Sequence, residues 1–280
     1  MPGSLIYNHQ IFKNSERIIG AENRSFRFGD GLFETMRVVD GSIMLAEYHF
    51  ERLFEGINKM KFDAVSGFNI TKLADEILML CKKNKHDAAA RVRLTVFRGD
   101  GSLTDPENLH PNYLIQTYPL AGPDYAWNET GLKIDIYGGA IKVADEFSAI
   151  KSNNFLPYVM ASLKAKEIGL DECLLTNQYK RIADTSIANA FICKDGKLKT
   201  PALTEGCVAG VMRRFLLENF NVDGSKIEEG GIEIEEMMDA DEVFLTNTVR
   251  GIRWVEKIRN KTYKNDIAKK IFRELNRKMR

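Results

Sequence analysis

Long apolar runs are missing from this 280-residue chain. No stretch approaches the ~20 residues that span a bilayer. The first segment is broken up by Asn8, His9, Gln10 and Lys13, so no charged start followed by an apolar stretch marks an export signal. The expectation is a cytoplasmic protein with no membrane contact. An excess of one charge is missing too: 40 Lys and Arg face 39 Asp and Glu, for a net charge of +1. That balance gives no electrostatic case for nucleic acid or an anionic lipid surface. Cysteine is scarce. Cys81, Cys173, Cys193 and Cys207 form no CxxC pair, and the nearest two are 14 positions apart (207 − 193). Each has apolar neighbours in the chain, which suits reduced thiols packed as small hydrophobes. The four histidines, His9, His49, His86 and His110, have no metal-ligand spacing. HExxH, GxSxG, a P-loop and a GxGxxG after a strand are all absent. Metal catalysis and Ser-His hydrolysis therefore have no basis in the sequence, and no metal is expected.

What is present is an ordinary globular mixture, 44% hydrophobic and 28% charged. The length suits one large domain or two ordinary ones. Pro119, Gly122 and Pro123 interrupt two strand-like runs, 113–118 and 132–137, so residues 1–118 read as one α/β domain, 119–124 as a linker and 125–280 as a second α/β domain. In the first half, 33–39 and 42–45 flank the hairpin signal Asp40-Gly41. Phe50, Leu53, Phe54 and Ile57 share one helical face, and Ile70, Leu73, Ile77 and Leu80 another. Val92, Leu94 and Val96 line one strand face. In the second half, 154–168 and 210–220 read as helices, with Pro157 tolerable in a first turn. Strands are expected at 172–176, 188–193, 197–200 and 242–246, and a basic helix with a solvated charged face at 267–279.

Short motifs then follow in a fixed order. Arg27-Phe-Gly-Asp-Gly-Leu-Phe-Glu-Thr-Met-Arg37 precedes His49-Phe-Glu-Arg-Leu53 and Ile150-Lys151-Ser-Asn. Asp184-Thr-Ser-Ile-Ala-Asn189, Asp195-Gly196 and Thr200-Pro201 come next, then Gly206-Cys-Val-Ala-Gly-Val-Met-Arg213 and Phe244-Leu-Thr-Asn-Thr248. Each piece alone is weak, but the ordered set resembles the class-IV aminotransferase family over nearly the whole chain. That family holds branched-chain and D-amino acid aminotransferases and aminodeoxychorismate lyase. The resemblance implies an α/β (α+β) two-domain fold of the pyridoxal-phosphate type IV, D-amino acid aminotransferase-like, with a cofactor cleft between the domains.

The resemblance also implies roles. Pyridoxal 5'-phosphate needs a lysine amine for a Schiff base, and an exposed lysine (pKa ~10.4) is protonated at neutral pH until burial or a nearby cation frees it. By local environment Lys151 reads as a solvated lysine; by its place in the ordered set it becomes the cofactor lysine and proton shuttle. A phosphate dianion suits a helix N-terminus. By resemblance the backbone of Val211 and Met212 supplies one. Methionine stands where transaminases usually have threonine, so Thr248 is expected to supply the lost hydroxyl. Arg52 matches the family's phosphate arginine, although on a helical wheel it lies opposite the apolar face and reads as exposed. Asp184, 33 positions after Lys151 (184 − 151), matches the glutamate that partners the pyridine nitrogen, one methylene shorter. Its bland alternative is a turn cap with Thr185 and Ser186. Asn189 and Asn247 complete the cofactor set, and Phe33 and Arg98 the substrate set.

Both branches of the family remove the same Cα proton. Met212 in the loop, Asn247 after the strand, and the Arg98-Gly99 turn, whose arginine suits a substrate carboxylate, look more like 4-amino-4-deoxychorismate lyase, which yields 4-aminobenzoate and pyruvate for folate. The alternatives are an amino acid aminotransferase acting with a 2-oxo acid, and a non-catalytic cofactor-binding protein. The partners expected are a small amino substrate and, by resemblance, a second copy in a homodimer.

Overall fold

A computed structural model describes residues 3–63, 67–105, 108–222 and 224–279. The chain divides into two compact units. One comprises Met1–Pro123 and Lys151–Asn154, the other Asp124–Ile150 and Phe155–Arg280.

The first unit is one antiparallel sheet backed by helices. Its strands are β1 (Ser4–Tyr7), β2 (Gln10–Lys13), β3 (Gly31–Val39), β4 (Ser42–Ile43), β5 (Ala89–Phe97) and β6 (Asn112–Pro119), in the order β2-β1-β6-β5-β3-β4. The helices are α1 (Arg24–Phe28), α2 (Ala46–Lys59) and α3 (Ile70–Lys83). The β3–β4 turn forms because Asp40 and Gly41 both take left-handed φ, 47° and 72°, the pair a tight hairpin needs. β3 and β5 pair along their full length, Gly31 opposite Phe97 through Val39 opposite Ala89. Side chains alternate across a strand. Leu32, Glu34, Met36 and Val38 therefore share one face of β3, with Phe33, Thr35 and Arg37 on the other. The β1–β2 hairpin is not evident in the sequence, because its turn uses Asn8 and His9 at positive φ (45° and 70°) without a glycine.

The second unit holds a mixed nine-stranded sheet. Its strands are β7 (Leu132–Ile141), β8 (Glu172–Thr176), β9 (Ile182–Thr185), β10 (Asn189–Lys194), β11 (Lys197–Pro201), β14 (Glu228–Gly230), β15 (Glu242–Asn247), β16 (Gly251–Ile258) and β17 (Lys261–Thr262). The short ribbon β12 (Asn221–Val222) with β13 (Ser225–Lys226) lies apart from it. The main path runs β14-β11-β10-β15-β16-β7-β8-β9, with β17 on β16. Helices α4 (Leu156–Glu167), α5 (Val211–Asn219), α6 (Ile234–Asp239) and α7 (Asp266–Lys278) accompany it. Ile134, Leu174, Ala190, Val243, Leu245 and Val255 lie in its core. The basic helix α7 buries Ala268, Ile271, Phe272 and Leu275, and the Glu242 carboxylate accepts its Ile267 and Ala268 amides at 2.9 Å each. Among the described residues no helix is long and apolar enough to cross a membrane.

Residues Lys151–Asn154 depart from the domain division read from the sequence, which gave Lys151 to the second domain. The Phe33 amide donates to the Lys151 carbonyl (2.9 Å), the Asn153 amide to the Gly31 carbonyl (2.8 Å), and Ser152 bridges Leu32. The segment thus lies along the start of β3. Gly31 permits it, since a Cβ there would stand 2.6 Å from Asn153 Nδ2 and 2.7 Å from the Val96 carbonyl. For the same reason α4 begins at Leu156, two residues later than the helical pattern suggests.

Candidate functional site

In the first unit the candidate residues gather at the start of β3. Lys151 is half-buried, with its Nζ 4.5 Å from the centroid of the buried Phe33 ring. The Arg93 guanidinium, from β5, stands 3.7 Å from the same centroid. Arg93 had no role in the sequence reading; the alternation that puts it on the Phe33 face is visible there only once β3 and β5 are paired. Burial lowers the Arg93 pKa, and its neighbour Arg91 adds to this.

Behind this strand Glu34 is enclosed by α2. His49 Nδ1 lies 2.6 Å from Glu34 Oε2, and Arg52 donates through Nε to Oε1 (2.8 Å) and through Nη2 to Oε2 (2.5 Å). Burial pushes the Glu34 carboxyl up, but the charges and hydrogen bonds of Arg52 and His49 outweigh it and hold it at about 2. Burial lowers the His49 pKa against the pull of Glu34, and Arg52 and Lys151 lower it further. An ionised carboxylate only accepts, so Nδ1 carries the proton given to Glu34. The Arg52 side chain is 13% exposed. Exposure as read from the helical wheel is therefore wrong: α2 has a polar patch on its sheet-facing side, made tolerable by the Glu34 carboxylate. The motif 27–37 contains Glu34, yet nothing in the sequence pairs it with His49 and Arg52.

Arg98 corrects an expectation. Its Nη1 donates to Asp30 (2.7 Å), its Nη2 to the carbonyls of Met60 (2.5 Å) and Lys61 (2.8 Å), and its guanidinium lies over Phe62. Asp30 also pairs with Arg24. This arginine clamps the end of α2 to the loop before β3, so both terminal nitrogens are engaged and do not offer a fork to a substrate carboxylate.

In the second unit the peptide of Val208 is a hub. Its amide donates to Asp184 Oδ2 (2.9 Å), and its carbonyl accepts from Asn189 Nδ2 (2.9 Å) and from the Gly210 amide (2.8 Å). Gly210 is the N-cap of α5, and a Cβ there would fall 1.8 Å from Asn189 Oδ1, so only glycine lets the helix start this close. α5 opens with Val211, Met212 and Arg213, first-turn amides that have no partner within the helix. Val211 and Met212 are buried, 3% and 1% exposed. The Ala209 amide donates to the Ala149 carbonyl (3.0 Å), two positions before Lys151 in the chain.

Asp184 is 2% exposed and also accepts from the Tyr158 hydroxyl (3.0 Å). The turn that follows is made by Thr185, which accepts from the Ala188 amide through its hydroxyl (3.1 Å). Asn247 is a further correction. Its Nδ2 donates to the Ile187 carbonyl (3.2 Å), and its Oδ1 accepts the Val249 and Arg250 amides (3.1 and 2.8 Å), so the side chain closes the β15–β16 turn. Thr248 is buried in that turn, with its carbonyl accepting from Tyr125 (2.9 Å). Among the described residues no cluster of His, Cys, Asp and Glu could hold a metal ion.

A helix N-terminus accepts an anion and a buried carboxylate favours a neighbouring cation. The amino-transferase class IV family model matches residues 31–258, and the chain belongs to that family. It is similar to the aminodeoxychorismate lyase of Bacillus subtilis (strain 168), 28% identical and covering 92% of this chain and 88% of that protein. It is also similar to the D-alanine aminotransferase of Bacillus licheniformis, 25% identical over 92% of this chain and 89% of that one. Its fold matches the branched-chain aminotransferase of the thermophilic archaeon Thermoproteus uzoniensis, solved with norvaline, at a TM-score of 0.87 and 19% identity, covering 99% of this chain and 94% of that one.

Proposed function

We propose that this chain is a pyridoxal-phosphate enzyme acting on a small amino substrate, with 4-amino-4-deoxychorismate cleavage to 4-aminobenzoate and pyruvate as its reaction. The observation that carries the cofactor is the Val208 hub. The backbone of one residue, Val208, ties a buried carboxylate, Asp184, to the N-terminus of α5, and the adjoining Ala209 is tied to Ala149, just ahead of Lys151. These are the donor types the cofactor asks for: amides for its phosphate, a carboxylate for its protonated ring nitrogen and an amine for its aldehyde. When bound, it supplies an electron sink that makes the substrate Cα–H acidic. Lys151 would hold it and carry the Cα proton. The Val211 and Met212 amides would hold its phosphate, and Arg52 would be the family's added charge for that group. Asp184 would keep its ring nitrogen protonated, and Asn189 holds the loop that carries these amides.

The lyase reading rests on the Met212 loop and on the likeness to the Bacillus subtilis lyase. With Arg98 engaged elsewhere, Arg93, which shares the Phe33 ring with Lys151, is the cation for a substrate carboxylate. The D-alanine aminotransferase likeness and the engagement of Arg98 away from a substrate favour a second reading, an amino acid aminotransferase. The first test is chemical. The purified protein is expected to be yellow, and borohydride to fix a pyridoxyl group on Lys151; label on another lysine, or none, refutes the cofactor assignment. The second separates the reactions. Aminodeoxychorismate should give 4-aminobenzoate, whereas glutamate formed from an amino acid and 2-oxoglutarate, with no 4-aminobenzoate, makes the chain an aminotransferase.

A further inference from the structure

Tyr158 has no task in the chemistry described so far, yet it is tied to the residue on which that chemistry depends. It sits on α4, 4% exposed, packed with Ala161, Ala165, Cys173 and Leu175, and its ring lies against Phe155 at a centroid distance of 4.6 Å. Its hydroxyl donates to Asp184 Oδ2 at 3.0 Å, the oxygen that also accepts the Val208 amide at 2.9 Å. Burial and the adjacent Asp184 charge drive the phenol well above its ordinary pKa, so it remains protonated and acts as a donor. A short carboxylate held by one donor can still swing about that bond. A second donor, from a different element and direction, sets the carboxylate plane and hence where Oδ1 points. Donors to a carboxylate also favour its ionised form over the protonated one.

We propose that Tyr158 is a positioning residue: its hydroxyl, together with the Val208 amide, aims the Asp184 carboxylate and keeps it ionised, so that an aspartate does here what a longer side chain would do. The inference rests on Asp184 being the partner of the cofactor's ring nitrogen. It adds α4 to the site as the element that compensates for the missing methylene. Val208, which meets Asp184 through its amide, also accepts through its carbonyl from Asn189 and the Gly210 amide. Those two bonds hold the start of α5 even where Asp184 is loosened.

Tyr158→Phe keeps the packed ring and removes only the donor. In the apoprotein, the carboxyl carbon-13 resonance of Asp184 should titrate about one pH unit higher than in the parent, the size expected for one lost hydrogen bond to a charged group. In the holoenzyme, kcat should fall on the order of tenfold with KM within about twofold, and the absorption band of the bound cofactor should move, because an interaction made chiefly in the transition state acts on kcat. Adding Asp184→Glu to Tyr158→Phe should restore much of the turnover by returning reach. Incorporation of 3-fluorotyrosine at position 158, a stronger donor of the same shape, should move the Asp184 midpoint downward, and keeps the test sound if the phenylalanine variant fails to fold. An Asp184 titration that neither substitution moves overturns the proposal, as does an unchanged kcat and spectrum in Tyr158→Phe. If borohydride fixes no pyridoxyl group on Lys151 of the parent protein, the cofactor reading fails and takes this one with it. A normal label combined with an unmoved kcat sinks the Tyr158 role alone.

Discussion

Glu34 shows how one residue can decide what another does. Arg52 reads from the sequence either as a solvent-facing side chain or as a phosphate ligand, and its fixed pose comes from a carboxylate on another element. Glu34→Gln removes the charge that compensates Arg52, and breaking a buried pair in this way costs about 3 kcal/mol. The sign with pH follows from the depressed Glu34 pKa. Its contribution is full above the ordinary glutamate value (~4.3) and is lost as pH falls toward about 2. Apoprotein melting curves should therefore lose stability on acidification through that window, and the Gln variant should show a flatter loss there. Arg52→Ala should weaken cofactor affinity by about tenfold or more, since a charge-assisted contact to a dianion disappears; equilibrium titration with unchanged affinity would leave Arg52 as a purely structural partner of Glu34. Asp184→Asn should still bind cofactor while kcat drops on the order of a hundredfold. Near-normal kcat in that variant removes Asp184 from the ring nitrogen.

At the scale of elements, α5 is positioned by what its N-cap lacks. A Cβ on Gly210 would fall 1.8 Å from Asn189 Oδ1. Gly210→Ala must push Asn189 away, break its bond to the Val208 carbonyl and tilt the first turn of the helix. The expected cost is about 1–3 kcal/mol of stability and a weakened cofactor affinity, read by thermal melting and equilibrium titration; an alanine variant with parent affinity would show that the first turn of α5 does not bind the phosphate. The glycine-to-helix pattern of 206–213 is legible in the sequence as a loop entering a helix. Its conjunction with Asn189 is not, because it depends on β10 lying alongside the loop. Helices with clear periodicity, such as α3, were legible from Leu73, Ile77 and Leu80, since burial of one face is a property of local spacing. β16 was not, because Arg253, Glu256 and Lys257 interrupt its apolar pattern.

Across the whole molecule, the chain crosses between its two compact units three times, after Pro123, after Ile150 and after Asn154. The middle excursion is only Lys151–Asn154, so the first unit is not a continuous piece of sequence. A fragment of residues 1–123 lacks the partners of the Phe33 amide and the Gly31 carbonyl. In hydrogen exchange the Phe33 amide is expected to be protected in the full chain and to exchange much faster in that fragment, while β5–β6 amides such as Leu94 change less. Equal protection at Phe33 in both would mean that 151–154 adds nothing to the start of β3.

The sequence by itself determined the family, through short motifs kept in order, and most of the helices and strands, through periodicities that depend on near neighbours. It also pointed to Lys151, Asp184 and the 206–213 loop, whose chemistry is carried by residue type and spacing. Only the tertiary structure decided which polar groups meet: that Arg98 clamps Asp30 and the end of α2, that Asn247 closes its own turn, that Arg93 shares Phe33 with Lys151, and that Glu34 and Tyr158 stand behind Arg52 and Asp184. Pairing of buried polar groups is set by strand register and helix docking over long separations in the chain. An unpaired polar group in the interior costs enough that the fold assigns its partners, and no local pattern in the sequence records those assignments.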